Sequence, residues 1–138
     1  NNELENTLVT IKLLMAEHNY HDARLLIDDY HKFIGHDVRL LKLEIELCLA
    51  EQRFEQAISY FASAAKQKEI EDTTLSLWQA GAYYGVFNQK VIQQDQQALQ
   101  SYWQDLPRKV KHNENALLSY CQVLAEQNIT KPLTSKIE

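Results

Sequence analysis

Five histidines, two cysteines and nineteen acidic residues are the groups in this chain that could hold a metal or move a proton. Their spacing argues against both. His18 and His21 are three apart, and His31 and His36 are five apart. The first pair straddles a predicted helix–helix turn and need not share a face, so these read as solvated turn histidines rather than ligands. Cys48 and Cys121 form no CxxC pair and stand among apolar residues, so both read as buried, reduced thiols. Asp28–Asp29 and Glu44–Ile45–Glu46 read as solvated helix faces, because adjacent residues on a helix point about 100° apart and do not readily share a proton. There is no GxSxG, HExxH, Gly-rich phosphate loop or Cys/His metal spacing. The expectation is a non-enzyme with no cofactor, metal or catalytic residue.

The elements that carry these residues are helices. Three Gly and two Pro in 138 residues leave few breakers. The length suits one domain with a real core. The net charge of −5 disfavours non-specific nucleic-acid binding, which needs a basic surface. No apolar run is long enough to span a bilayer, and no leader pattern opens the chain. The chain does not begin with Met and reads as a piece of something longer.

One phrase recurs: "MAEHNY" at 15–20, "LAEQRF" at 49–54 and "LAEQNI" at 124–129. Ala16 and Ala50, Tyr20 and Phe54, and Ala23 and Ala57 are each 34 apart in the numbering. Ala50 and Ala125 are 75 apart, two such periods and a further seven. A period of about 34 residues is that of the tetratricopeptide repeat, a helix–turn–helix unit that stacks into a solenoid. An aromatic three residues before an Ala marks the turn into the second helix. The ring plugs the angle between antiparallel helices, and the Ala lets their backbones approach. Neither helix buries its apolar stripe alone, so neighbouring units must cover it.

The expected fold is all-α, a tetratricopeptide-like right-handed solenoid of about seven antiparallel helices in a single domain, 1–138. Repeat 1 covers about 4–37, repeat 2 about 38–71, repeat 3 with an insertion about 72–112, and partial repeat 4 about 113–138. The helices fall at about 3–18, 21–33, 38–51, 54–68, 75–87, 94–105 and 115–127. Gly35 stops the second and Asp37 caps the third. Pro107 breaks the chain before a basic segment. Pro132 stands where the earlier units have Ala23 and Ala57, so the last helix is expected to be absent or cut off, and the tail frayed.

In such a solenoid the first helices line the concave face. That places Lys12, Arg39, Lys42, Glu46 and Tyr83 on a candidate partner-binding surface. Six aromatics crowd the third unit: Trp78, Tyr83, Tyr84, Phe87, Tyr102 and Trp103. Tyr83–Tyr84 and Tyr102–Trp103 are adjacent pairs, so one member of each is expected to leave the core. The stretch "RKVKH" at 108–112 is the clear positive cluster of the chain. It reads as a solubilising loop, or as a contact for an acidic partner or anionic lipid headgroups. Trp103, Arg108 and Lys109 join the partner-binding candidates.

The segments "AYYGVFNQ" (82–89) and "ALQSYWQDLPRKVKHNENALLSYCQVLAEQN" (98–128) resemble the tetratricopeptide portion of the HemY family, associated with bacterial haem biosynthesis. Trp103, Leu106, Pro107, Arg108 and Lys109 occupy the places of that family's Trp, Leu-Pro-Arg-like and basic stretch. Residues 21–61 fit the repeats that precede it. The resemblance implies an excised soluble portion of a protein whose N-terminal helices hold it on the cytoplasmic side of the bacterial inner membrane. It also implies an interaction scaffold for proteins or peptides, haem-biosynthesis enzymes among them, touching the membrane only through segments outside this chain. Two alternatives stay open, a haem- or porphyrin-binding protein and a repeat adaptor in another pathway. No nucleic-acid partner is expected; a homo-oligomer remains open.

Overall fold

The computed structural model describes residues 2–34, 37–93 and 96–137, with side chains described for 3–32, 37–91 and 97–127. Gly35 and His36, expected in the first inter-repeat turn, lie outside the described residues. The described residues form eight helices and no strand. They are α1 (Asn2–Ala16), α2 (Tyr20–Ile34), α3 (Val38–Ala50), α4 (Phe54–Ala65), α5 (Asp72–Gln93), α6 (Gln96–Asp105), α7 (Arg108–Lys111) and α8 (Glu114–Ile137). None of the described helices is long and apolar enough to cross a membrane. The chain divides into two compact units, Asn1–Trp78 and Gln79–Glu138.

In the first unit, α1 packs on α2, α3 packs on both, and α4 packs on α3. Leu4, Leu8 and Ile11 of α1 meet Ala23 and Ile27 of α2 and Leu40, Leu43 and Leu47 of α3 in one buried cluster. The burial repeats with the sequence. Ile11 and its counterpart one period on, Ile45, are each fully buried, and so are Ala23 and its counterpart Ala57. At such fully buried places a larger side chain would push the neighbouring helices apart.

The turns repeat too. After α1 the amides of Glu17, His18 and Asn19 donate to the carbonyls of Leu13, Met15 and Leu14. After α3 the amides of Glu51, Gln52 and Arg53 donate to those of Leu47, Leu49 and Cys48, the same pattern shifted by one period. The crossed pair of bonds that ends each helix is a Schellman turn, and its geometry requires a left-handed residue, usually glycine. Here His18 (φ 61°) and Gln52 (φ 62°) take that conformation.

The third copy of the phrase does not turn. α8 runs on through Gln127 to Ile137, past Pro132, where a turn and a frayed tail were expected. The phrase holds neither Gly nor Pro and does not bar helix by itself. What folds the chain back at 18 and 52 is the packing of the next helix through its buried Ala, and the third copy has Pro132 at that place. The segment expected as the third repeat departs as well. α5 has 22 residues against 15 in α1 and 13 in α3, and runs on to Gln93. The basic stretch expected as a connection forms the single turn α7 after Pro107, which is why eight helices are found among the described residues rather than about seven.

In the second unit, α8 packs on α6 and α7. Phe87 of α5, fully buried, is ringed by Tyr83, Tyr102, Trp103 and Tyr120, with centroids 5.7 to 6.2 Å away. Trp103 and Tyr120 stack face to face at 4.4 Å. Asn113 caps α8 by accepting from the amides of Asn115 and Ala116.

Candidate functional site

Four of the sequence candidates meet in one place. Lys12 of α1 and Arg39, Lys42 and Glu46 of α3 line a groove of about 150 Å³, floored by Leu8 and Leu43. Positions 39, 42 and 46 lie on one face of α3 by helical spacing, and position 12 faces them because α1 packs on α3. Lys12, Arg39 and Glu46 are exposed and Lys42 is half-buried, whereas Leu8 and Leu43 are buried.

The three cations are not equivalent. Asp37 holds the Arg39 guanidinium through two bonds, Nε to Oδ1 at 3.2 Å and Nη2 to Oδ2 at 3.1 Å. Asp37 Oδ1 also accepts from the Arg39 amide at 2.8 Å and so caps α3, as its sequence position suggested. The Arg39 bonds, chiefly, hold the Asp37 carboxyl below its ordinary value. Neither lysine closes an ion pair among the described residues. Partial loss of water pushes the Glu46 carboxyl up, although the residue stays exposed, while Lys42 and Lys12 pull it back. The groove therefore offers two lysines over an apolar floor, beside a carboxylate whose charge is partly disfavoured.

The other candidates lie in the second unit. Tyr83 is buried at 4% exposure and stacks on Phe87, so it presents no surface. Its neighbour Tyr84 is the outward member of that pair and donates to Glu126 at 2.9 Å. Tyr102 and Trp103 are both half-buried. Both lean edge-on against Phe87, so that pair does not divide into core and surface. Arg108 and Lys109 are exposed on α7.

Sequence reading missed a second cavity, of about 560 Å³, lined by residues of α2, α3 and α4, by the cap Asp37 and by Lys66 and Gln67 just after α4. Glu44, expected on a solvated face, is buried at 7% exposure. Tyr60 OH donates to its Oε1 at 2.9 Å, and His31 Nε2 lies 2.9 Å from its Oε2. A carboxylate only accepts, so Nε2 is the ring nitrogen that carries the proton. Val38, Leu41, Ser63, Lys66 and Gln67 complete the lining. The signal was present: Glu44 falls between Leu40, Leu43, Leu47 and Cys48, in register with the buried stripe of α3. Beside it, Arg24 of α2 bonds Glu51 and reaches Cys48 Sγ at 3.9 Å. No group of three or more His, Cys, Asp or Glu side chains among the described residues could hold a metal ion.

Comparison with protein-family models, with characterised proteins and with solved structures returns no match.

Proposed function

We propose that the chain is a non-enzymatic interaction scaffold, a tetratricopeptide-like solenoid whose first unit binds an acidic segment of a partner protein. The observation that carries this reading is the convergence of Lys12, Arg39, Lys42 and Glu46, from the first helices of two successive repeats, on one groove. Two lysines that close no ion pair among the described residues, set over Leu8 and Leu43, suit a carboxylate flanked by an apolar residue. The resemblance of residues 82–89 and 98–128 to the HemY family supports haem-biosynthesis enzymes as the partners, met at the cytoplasmic face of a bacterial inner membrane.

The groove is tested by fluorescence anisotropy with acidic and charge-neutral versions of one peptide. The acidic peptide is expected to bind more tightly, to weaken with added salt, and to lose about tenfold or more in a Lys12→Glu, Lys42→Glu double variant. Equal binding of both peptides would rule the groove out. The pathway is tested by pull-down of the intact protein from its own cell. Enrichment of haem-pathway enzymes no greater than with an unrelated repeat protein would end that assignment.

A further inference from the structure

The second cavity lies on the other side of α3, and its charge is opposite to that of the first. Its buried charge is Glu44, whose side chain is 9% exposed. Tyr60 and His31 donate to its two oxygens, yet no Lys or Arg among the described residues pairs with it. A carboxylate has more accepting positions than two donors use. Removed from water, it favours a full cation beside it, and an imidazole supplies one only when doubly protonated. The other lining carboxylate, Asp37, already has both oxygens on Arg39. The attraction is thus centred on Glu44. Val38 and Leu41, both half-buried, give one wall an aliphatic strip leading to it. Lys66 at the rim is exposed and can swing outward. A volume of about 560 Å³ accommodates a long side chain with room for water.

We propose that this cavity receives an arginine side chain of a partner protein, its guanidinium on Glu44 and its methylenes along Val38 and Leu41. Arginine fits better than lysine. Its planar fork donates two parallel bonds to a carboxylate, and its flat face stacks on rings such as those of Tyr60 and His31. The surface so defined is separate from the groove between α1 and α3 and does not depend on what that groove binds.

The test titrates the full chain with N-acetyl-arginine methylamide and follows the side-chain NMR signals of Tyr60 and His31. The neutral citrulline analogue serves as control. The arginine compound is expected to give saturable shifts and the citrulline compound none. Glu44→Gln, which keeps an acceptor for Tyr60 but removes the charge, is expected to weaken binding about tenfold. Lys66→Glu, an exposed change that leaves the fold alone, is expected to tighten it about threefold. No saturable shift, equal responses to arginine and citrulline, or an affinity unmoved by Lys66→Glu would overturn the proposal. The Lys12→Glu, Lys42→Glu double variant is expected to leave arginine binding unchanged, so this proposal and the acidic-segment reading fail separately.

Discussion

His18 and Gln52 stand one repeat period apart with the same left-handed backbone, φ 61° and 62°, each at the C-terminal turn of a helix. Non-glycine residues hold this conformation at a cost, because Cβ crowds the backbone. His18 Nδ1 and Tyr20 OH share a hydrogen bond of 2.8 Å across the turn, which offsets part of that cost. The contribution of the backbone is isolated by comparing Gly with Ala, since both remove the side-chain contacts. Gln52→Gly is expected to be more stable than Gln52→Ala by about 1 kcal/mol, and His18→Gly than His18→Ala by the same amount. Chemical denaturation measures it, and equal stabilities would mean these residues are not left-handed.

Asp37 caps α3 and holds Arg39 with the same carboxylate. Asp37→Ala is expected to cost about 1 kcal/mol at neutral pH, the usual worth of such a cap. The folded carboxyl lies below its ordinary value, so its contribution is complete above the unfolded value. It is lost as pH falls through the folded value. The stability gap between wild type and Asp37→Ala should therefore be constant near neutrality and close below about pH 4. A gap that widened in acid would contradict the sign.

Glu46 carries the opposite shift, upward through loss of water. Folding there favours the neutral form, so Glu46→Gln is expected to leave the melting temperature at pH 7 unchanged or raised. The same change removes the groove's own negative charge and should tighten an acidic peptide. Peptide affinity unchanged by Glu46→Gln would count against the groove as the contact surface.

The two thiols, both expected to be buried, divide. Cys48 is fully buried, and burial, opposed by Arg24, pushes its thiol up. Cys121 is exposed on α8. In the native protein a chromogenic disulfide reagent should titrate one thiol promptly, and the second only after denaturant is added. Two fast equivalents would show that Cys48 is accessible.

Phe87 holds four rings from α5, α6 and α8 around it. Phe87→Ala should cost about 3–5 kcal/mol and erase much of the near-ultraviolet circular dichroism. Phe87→Leu should retain more of the stability and should still lower that signal. An unchanged spectrum in both variants would contradict the cluster.

Helicity, the first two turns and the cap at Asp37 were legible in the sequence because local chemistry decides them. That Lys12, Arg39, Lys42 and Glu46 lie near one another could also be anticipated, because positions 39, 42 and 46 share a helix face and α1 packs on α3. Tyr83 was misplaced toward the surface because α5 lacks the phrase that anchors the count. The extension of α8 was missed for a related reason: a recurring phrase was read as a turn, although the turn depends on the helix that follows. Cys121 was read as buried from its apolar neighbours in sequence, which do not fix the face of α8 it occupies. Glu44 shows a different limit. Residue type assigned it to solvent while its position in the apolar stripe assigned it to the core, and position won because His31 and Tyr60 stand ready to accept its burial.

That buried carboxylate also constrains how α3 can sit. Rotating α3 by a single position against α2 and α4 would keep much of its leucine-rich surface covered, since leucines recur around the helix. It would take Glu44 about 100° away from both donors at once. A rotated arrangement thus forfeits two hydrogen bonds, a penalty that apolar packing alone does not impose. The carboxylate thus disfavours a one-position rotation of α3, because its two donors are met only in the arrangement observed.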